Sequence, residues 1–288
     1  MATCGLLGIS RQVYYRSVRS AQKRKSTAQQ VVDLVSGIRL QMPRLGTKKL
    51  YYLLQDDLRV LGVGRDMLFR ILRANHLLIV PKRQYHITTN SHHRFRKHKN
   101  LIAGVVPAQP EQIWVSDITY VGNRTNPMYL ALVTDAYSKK IMGYDVSDSL
   151  DTKGSIRALK MAIKTRSYKP NTLVHHSDRG LQYCSYGYQK VLKRANLECS
   201  MTESHDPYAN AVAERVNGIL KAEFIGYDSS HKLTVMQQLV RDSIKIYNDC
   251  RPHYSCFMRT PKQMHQQHEI KIRTYKNKYP SKRAFAGV

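Results

Sequence analysis

Between residues 112 and 202 the chain changes texture in a way that few folds accommodate. Three extended apolar runs come first, QIWVSDITYV (112–121), MYLALVTDAYS (128–138) and KIMGYDVS (140–147), joined by links too short for a helix. Short links between strands suit an antiparallel meander. Helix-like and strand-like stretches then alternate. Residues 152–166 read as a helix, TLVHHS (172–177) as a buried strand, 185–196 as a helix and LECSMT (197–202) as a strand. Helical patterns follow at 209–225 and near 233–248. This pattern predicts an α/β fold with a mixed five-stranded sheet and flanking helices.

The residues before this layer are organised differently. Val31, Leu34 and Ile38 recur at helical spacing in 27–42, and Pro43 ends that stretch. A second helical stretch covers 46–58, with Leu50, Leu53, Leu54 and Leu58 on its apolar side. After a turn at Gly62 and Gly64, residues 66–75 form a third, carrying Arg70 and Arg73. Helix–turn–helix modules look like this and lay a basic second helix on DNA. A plain three-helix domain with solvated arginines fits the same pattern, and both readings stand. Residues 82–100 hold six Lys/Arg and four His with no acid and no apolar period, which marks a linker. Arg94, Arg96 and Lys97 could follow a phosphate backbone there, or the segment could be a solvated tether. No Cys pair accompanies the histidines, so a zinc site is rejected.

Charge narrows the partner. The chain of 288 residues carries a net +27. Residues 1–110 contribute +16 and residues 227–288 contribute +8, while 111–226 contribute only +3. Basic flanks around a balanced middle point to nucleic acid. No run approaches the ~20 apolar residues of a membrane span, and the first residues are too weakly apolar for a secretory signal. Five scattered cysteines without a C-x-x-C pair suggest reduced thiols and a cytoplasmic setting.

The balanced middle keeps three carboxylates in unusual places. Asp117 lies inside the first strand, between Trp114, Val115, Ile118 and Tyr120. A charge there is costly unless it is compensated, and a divalent cation would do so. Asp178 follows the strand at 172–177, at the C-terminal end where ligand sites of α/β sheets gather. Glu214 lies on the helix at 209–225, on one stripe with Asn210, Asn217 and Lys221, opposite Val212, Val216, Ile219 and Leu220. Taken alone, that stripe reads as the solvated face of a surface helix. Asp135 is the strongest rival carboxylate, while Asp145, Asp148, Glu203, Asp206 and Glu223 look solvated.

WVSDITYV, HHSDRGLQY and DPYANAVAERVNGILKAEF resemble the three catalytic blocks of the retroviral-integrase-like DDE transposases. Between Asp178 and Glu214 lie 35 residues, the spacing of that group, and Lys221 stands seven positions after Glu214 where the group carries Lys or Arg. YNDCRPHYSCFMRTPKQM resembles the block that closes the OrfB proteins of the IS-three insertion-sequence family, and LLGISRQVYYR resembles their opening. Leu181, where many relatives have Ser, and the segment SCFMRT depart from the pattern without touching the three carboxylates.

The resemblance implies a ribonuclease-H-like core at 109–226. A helical, helix–turn–helix-like DNA-binding region at 1–81 and a basic linker at 82–108 would precede it, and a C-terminal helix with a basic tail at 227–288 would follow. It implies a transposase that cleaves DNA and then transfers a 3′-OH to another DNA at one site. Two divalent ions about 3.5–4 Å apart serve such chemistry, and carboxylate oxygens suit Mg2+, with Mn2+ able to substitute. Asp117 would bridge both ions, and Asp178 and Glu214 would each hold one. His175 and His176 receive only supporting or packing roles, and Asp135 a structural one. Lys221 would contact a phosphate of the transposon end; Asn210, Asn217, Arg215, Arg251 and His253 are further expected DNA contacts. The implied partners are transposon-end and target DNA, further copies of the chain assembled on DNA, and an upstream-frame DNA-binding protein or fusion. A plain nuclease of the same fold competes, but the spacing, Lys221 and the closing block argue against it.

Overall fold

A computed structural model describes residues 8, 10–80, 98–123, 126–168, 172–202, 210–226 and 232–272. Two compact units divide the chain: Met1–Tyr85 with Ala222–Gly226, and His86–Lys221 with Tyr227–Val288.

The first unit is helical. Helix α1 (Arg11–Gln41) starts at Ser10, whose Oγ accepts Val13 N at 3.3 Å. The expected start at 27 was wrong, because apolar periodicity marks only the half of α1 that is covered. Val31 and Val35 are fully buried, whereas of residues 11–26 only Val18 is partly covered. Helices α2 (Thr47–Leu53) and α3 (Gln55–Val60) replace the single stretch at 46–58. The break is a one-residue kink at Leu54, through which the ladder continues (Leu54 N to Leu50 O and Leu58 N to Leu54 O, both 2.9 Å). Helix α4 (Arg65–Ala74) buries Leu68, Ile71 and Leu72 and leaves Arg70 and Arg73 exposed. In the same unit Glu223 pairs with Lys49 at 3.2 Å, so it is not the solvated carboxylate its sequence setting suggests.

The second unit is built on the expected mixed sheet. Strands β1 (Ile113–Gly122), β2 (Pro127–Asp135) and β3 (Ile141–Ser147) form the antiparallel meander. Strands β4 (Val174–Ser177) and β5 (Glu198–Met201) join in parallel, giving the order β3-β2-β1-β4-β5. β1 is therefore central. Helix α5 (Thr152–Lys164) crosses β2 and β3 closely: a Cβ on Gly143 would overlap the Ala158 carbonyl oxygen. Asp145 is half-buried and accepts from Arg157 Nε and Nη2, each at 2.7 Å, again not solvated.

A short helix α6 (Leu181–Cys184), not read from the sequence, precedes α7 (Tyr186–Arg194). α5, α6 and α7 cover one face of the sheet, where Trp114, Leu159, Tyr188 and Met201 share a core. Helix α8 (Ala211–Leu220) covers the other, packing Ala213 and Val212 on Ile113 and Val115, and continues as a π-helical turn (Lys221–Ile225). Helix α9 (Leu233–Asp249) lies along β3, and Asn248 pairs with both backbone groups of Ile141 at 3.0 Å. That amide closes part of an edge strand that would otherwise expose unpaired groups. Helix α10 (Pro261–His265) begins on Thr260 with a capping box closed by Gln263. Among the described residues no helix is long and apolar enough to cross a membrane.

Candidate active site

Strand alternation decides what Asp117 faces. Trp114 and Ile118 point into the core beneath α5–α7, whereas Ile113 and Val115 meet α8. Asp117 shares the parity of the second pair and so lies on the α8 side. Its Oδ2 accepts Asn217 Nδ2 at 2.8 Å, and its Oδ1 accepts the Ile118 amide at 2.9 Å. Asp178 lies directly past the end of β4. The last register pair of β1 with β4 is Ser116 with Ser177, so Asp117 and Asp178 are the next residues on adjacent strands. Gly180 N donates to Asp178 Oδ1 at 2.9 Å, and a Cβ on Gly180 would stand 2.9 Å from that same oxygen. Glycine is what lets the loop close on the carboxylate. Glu214 sits in the first turn of α8, exposed.

Asp117 feels the charge of the other two carboxylates. Burial pushes the Asp117 carboxyl up from 3.8 to about 7, the negative charge of Asp178 adds to that, and Glu214 adds less; the bonds from Asn217 and Ile118 pull the other way. Mutual repulsion of this kind is what a hard cation relieves, and an all-oxygen donor set suits Mg2+ chemically. The geometry is not closed, however. Among the described residues no three His, Cys, Asp or Glu side chains stand close enough together to hold a metal ion. The all-oxygen chemistry of these donors suits a divalent ion, while Glu214 stands open to solvent and the three carboxylates are not gathered into one ligand set.

Comparison with known proteins places the chain in a family. Two integrase core domain models match, over residues 107–207 and 195–261. The insertion element IS600 uncharacterized 31 kDa protein of Shigella sonnei is 33% identical over 87% of this chain and 92% of its own length. Transposase InsF for insertion sequence IS3A of Escherichia coli (strain K12) is 30% identical over 91% of this chain and 92% of its own. The chain belongs to the IS-three family of insertion-sequence transposases. Its fold also resembles a simian T-cell lymphotropic virus intasome chain, at a TM-score of 0.47 and 17% identity over 82% of this chain and 81% of that one.

In this transposase the two asparagines of the α8 polar stripe are buried against β1, while Glu214 stays exposed. Asn210 and Asn217 are 6% and 3% exposed, and Asn210 Nδ2 donates to the Ser116 carbonyl at 3.1 Å. Lys221 is half-buried, with Nζ 3.5 Å from Thr119 Oγ1; burial lowers its pKa and Asp117 opposes that. Two amides and a lysine therefore line the strand that carries Asp117. Both asparagines, expected at DNA, have buried side chains that bond to β1.

Arg251 and His253, likewise expected at DNA, are buried too. They are 1% and 6% exposed and flank Tyr247, the guanidinium 5.8 Å from its ring centre and the imidazole edge-on at 5.2 Å. Both hold the end of α9 in place and do not face solvent. Arg215, Arg70 and Arg73 are exposed, while Arg94, Arg96 and Lys97 lie outside the described residues.

His175 supports β1 from the far face. Its Nε2 lies 2.8 Å from Ser116 Oγ and 2.9 Å from Tyr188 OH. Burial and the neighbouring His176 push its pKa down to about 3, which keeps the ring neutral and only weakly basic. His176 Nδ1 meets Ser200 Oγ at 2.8 Å.

Asp135 is structural. Fully buried, it accepts Glu111 N at 2.7 Å, Ser138 N at 2.7 Å and Ser138 Oγ at 2.6 Å. Buried Glu111 accepts Ser167 N at 2.8 Å and Tyr168 N at 2.9 Å, and His265 Nε2 stands 3.2 Å from it. This cluster ties α10 to the sheet. Glu111 and His265 were not read from the sequence, where neither stands in a recognisable local pattern.

Proposed function

We propose that the transposase cleaves DNA strands at the ends of its own element and joins the freed 3′-OH to target DNA, both at Asp117, Asp178 and Glu214. The observation that carries this reading is Asp117: a carboxylate in the central strand of a transposase core, raised to about 7 by burial and by the other two acids. Asp117, Asp178 and Glu214 would hold two Mg2+ ions, with Mn2+ able to substitute. When bound, such ions neutralise charge on the scissile phosphate and activate the attacking oxygen.

The chain's own residues do the rest. Asn217 holds one oxygen of Asp117 by a neutral bond, leaving the carboxylate charge uncompensated for a cation. Gly180 holds Asp178 through its amide. Lys221, beside Thr119, would meet a DNA phosphate near the scissile end, and Arg215 would add a second cation from the exposed side of α8. Arg70 and Arg73 on α4, with the linker residues Arg94, Arg96 and Lys97, would hold flanking DNA through its backbone. Joining two ends calls for at least two copies on DNA, alone or with an upstream-frame DNA-binding protein.

The test uses the chain, or its fusion to the upstream frame, with a duplex of the element's precleaved end and Mg2+. Products longer than the substrate should form and should vanish with Asp178→Asn, while replacing the terminal 3′-OH by hydrogen should stop joining and spare end binding. Shortened products alone, with authentic ends bound and cleaved, would overturn strand transfer in favour of hydrolysis.

A further inference from the structure

Among the described residues, nothing covers more than a small part of the first half of α1. Among residues 11–26 only Val18 is partly covered, and Val13, Tyr14 and Tyr15 are 51%, 47% and 61% exposed. Six cations fall in this stretch, Arg11, Arg16, Arg19, Lys23, Arg24 and Lys25, and the first acid of the whole chain is Asp33. Arg16, Arg19 and Lys23 lie within about 60° of one another around the helix axis, at 100° per residue.

Three physical arguments say that this half-helix awaits a partner. A helix of this length without tertiary contacts is marginal in water. Cations near an N-terminus oppose the helix dipole, and the first turn of α1 holds no acid. Crowding six like charges without a counter-charge destabilises the helix further. A polyanion removes the last two costs together.

We propose that residues 11–26 form a basic arm that lies on duplex DNA and is stabilised as a helix there. The proposal rests on the reading of DNA as substrate and adds an element to it. The arm spans about 24 Å at 1.5 Å per residue, enough to cross a major groove of about 12 Å. A second copy is the poorer occupant: pairing two arms doubles the cations, and the stripe opposite the basic one, Tyr14, Val18, Ala21 and Lys25, offers little apolar area.

Hydrogen exchange of the full chain, with and without a short duplex of arbitrary sequence, reads the arm directly. Amides of residues 11–26 should exchange quickly in the free protein and at least tenfold more slowly on DNA. Combined Arg16→Ala, Arg19→Ala and Lys23→Ala should make the log–log salt dependence of duplex binding shallower by roughly 2–3, at about 0.9 per lost phosphate contact. The charge-keeping set Arg16→Lys, Arg19→Lys and Lys23→Arg should retain the original slope. The proposal is overturned if exchange in the arm ignores DNA, if the alanine set leaves the slope unchanged, or if protection grows with protein concentration in the absence of DNA. A wild-type chain that binds no DNA at all would instead sink the proposed function, so the two failures are distinguishable.

Discussion

Asp117→Asn should kill strand cleavage and yet stabilise the metal-free fold at alkaline pH. An acid whose folded pKa lies above its unfolded value binds more protons folded than unfolded between the two, so stability falls as pH rises through that window. For Asp117 the window runs from 3.8 to about 7. Three units at 1.36 kcal/mol each set a ceiling of about 4 kcal/mol. Asp117 is only part-buried and solvent screens it, so about 1–3 kcal/mol is expected. Asparagine is nearly isosteric and carries no charge to desolvate. The assay is urea unfolding of both proteins with chelator at pH 5 and pH 8. About two of those three units lie between pH 5 and pH 8, so wild type should lose about 0.6–2 kcal/mol more than the variant between those values. His265 titrates in both and cancels in the difference. Adding Mg2+ at pH 8 should restore the wild type and leave the variant unmoved. Parallel pH dependence of the two proteins would refute the account of Asp117 as a carboxylate held against its own charge.

Three further outcomes follow from other parts of the structure. Burial alone would lower the pKa of His265, but its bonds to Asp135 and Glu111 prevail and raise it above 6.5, so its contribution is complete below 6.5 and lost as pH rises through the folded value. Glu111 is lowered despite its burial, so its contribution is present above 4.5 and lost as pH falls; His265→Gln should therefore cost about 3 kcal/mol near pH 6 and clearly less near pH 9, by calorimetry. Gly143→Ala should destabilise by at least about 3 kcal/mol, because its Cβ would overlap the Ala158 carbonyl oxygen and stand 2.7 Å from Ala162 N; wild-type denaturant resistance would show that α5 shifts freely. Lys221→Ala should lose end binding and joining in gel-shift and strand-transfer assays, while Lys221→Arg keeps a substantial part, and full activity of the alanine variant would make Lys221 an ordinary half-buried lysine.

The sheet was legible because its signal is local: apolar runs, short links for the meander, longer helical crossovers for the parallel pair. Short α6 and α10 were missed because four or five residues carry no period, although Thr260, Pro261 and Gln263 spell a capping box once the start is known. The first half of α1 was missed because only contact with a body imposes an apolar period on a helix. Polar residues on a helix are read as facing water, yet Asn217 is buried against Asp117. Arg251 and His253, expected at DNA from the closing block and lying past the end of α9, are buried as well. Whether such a side chain turns inward depends on what opposes it, and the opposing group is far away in sequence: Asp117 for Asn217, 100 residues earlier. The choice of residue there has a chemical sense. A lysine at position 217 would neutralise Asp117, pull its pKa down and compete with any cation for the same charge. An amide fixes the carboxylate by one neutral hydrogen bond and leaves its charge in place. That combination, a positioned but unneutralised acid in a central strand, lowers stability on its own and is what a metal-dependent reading of the site requires.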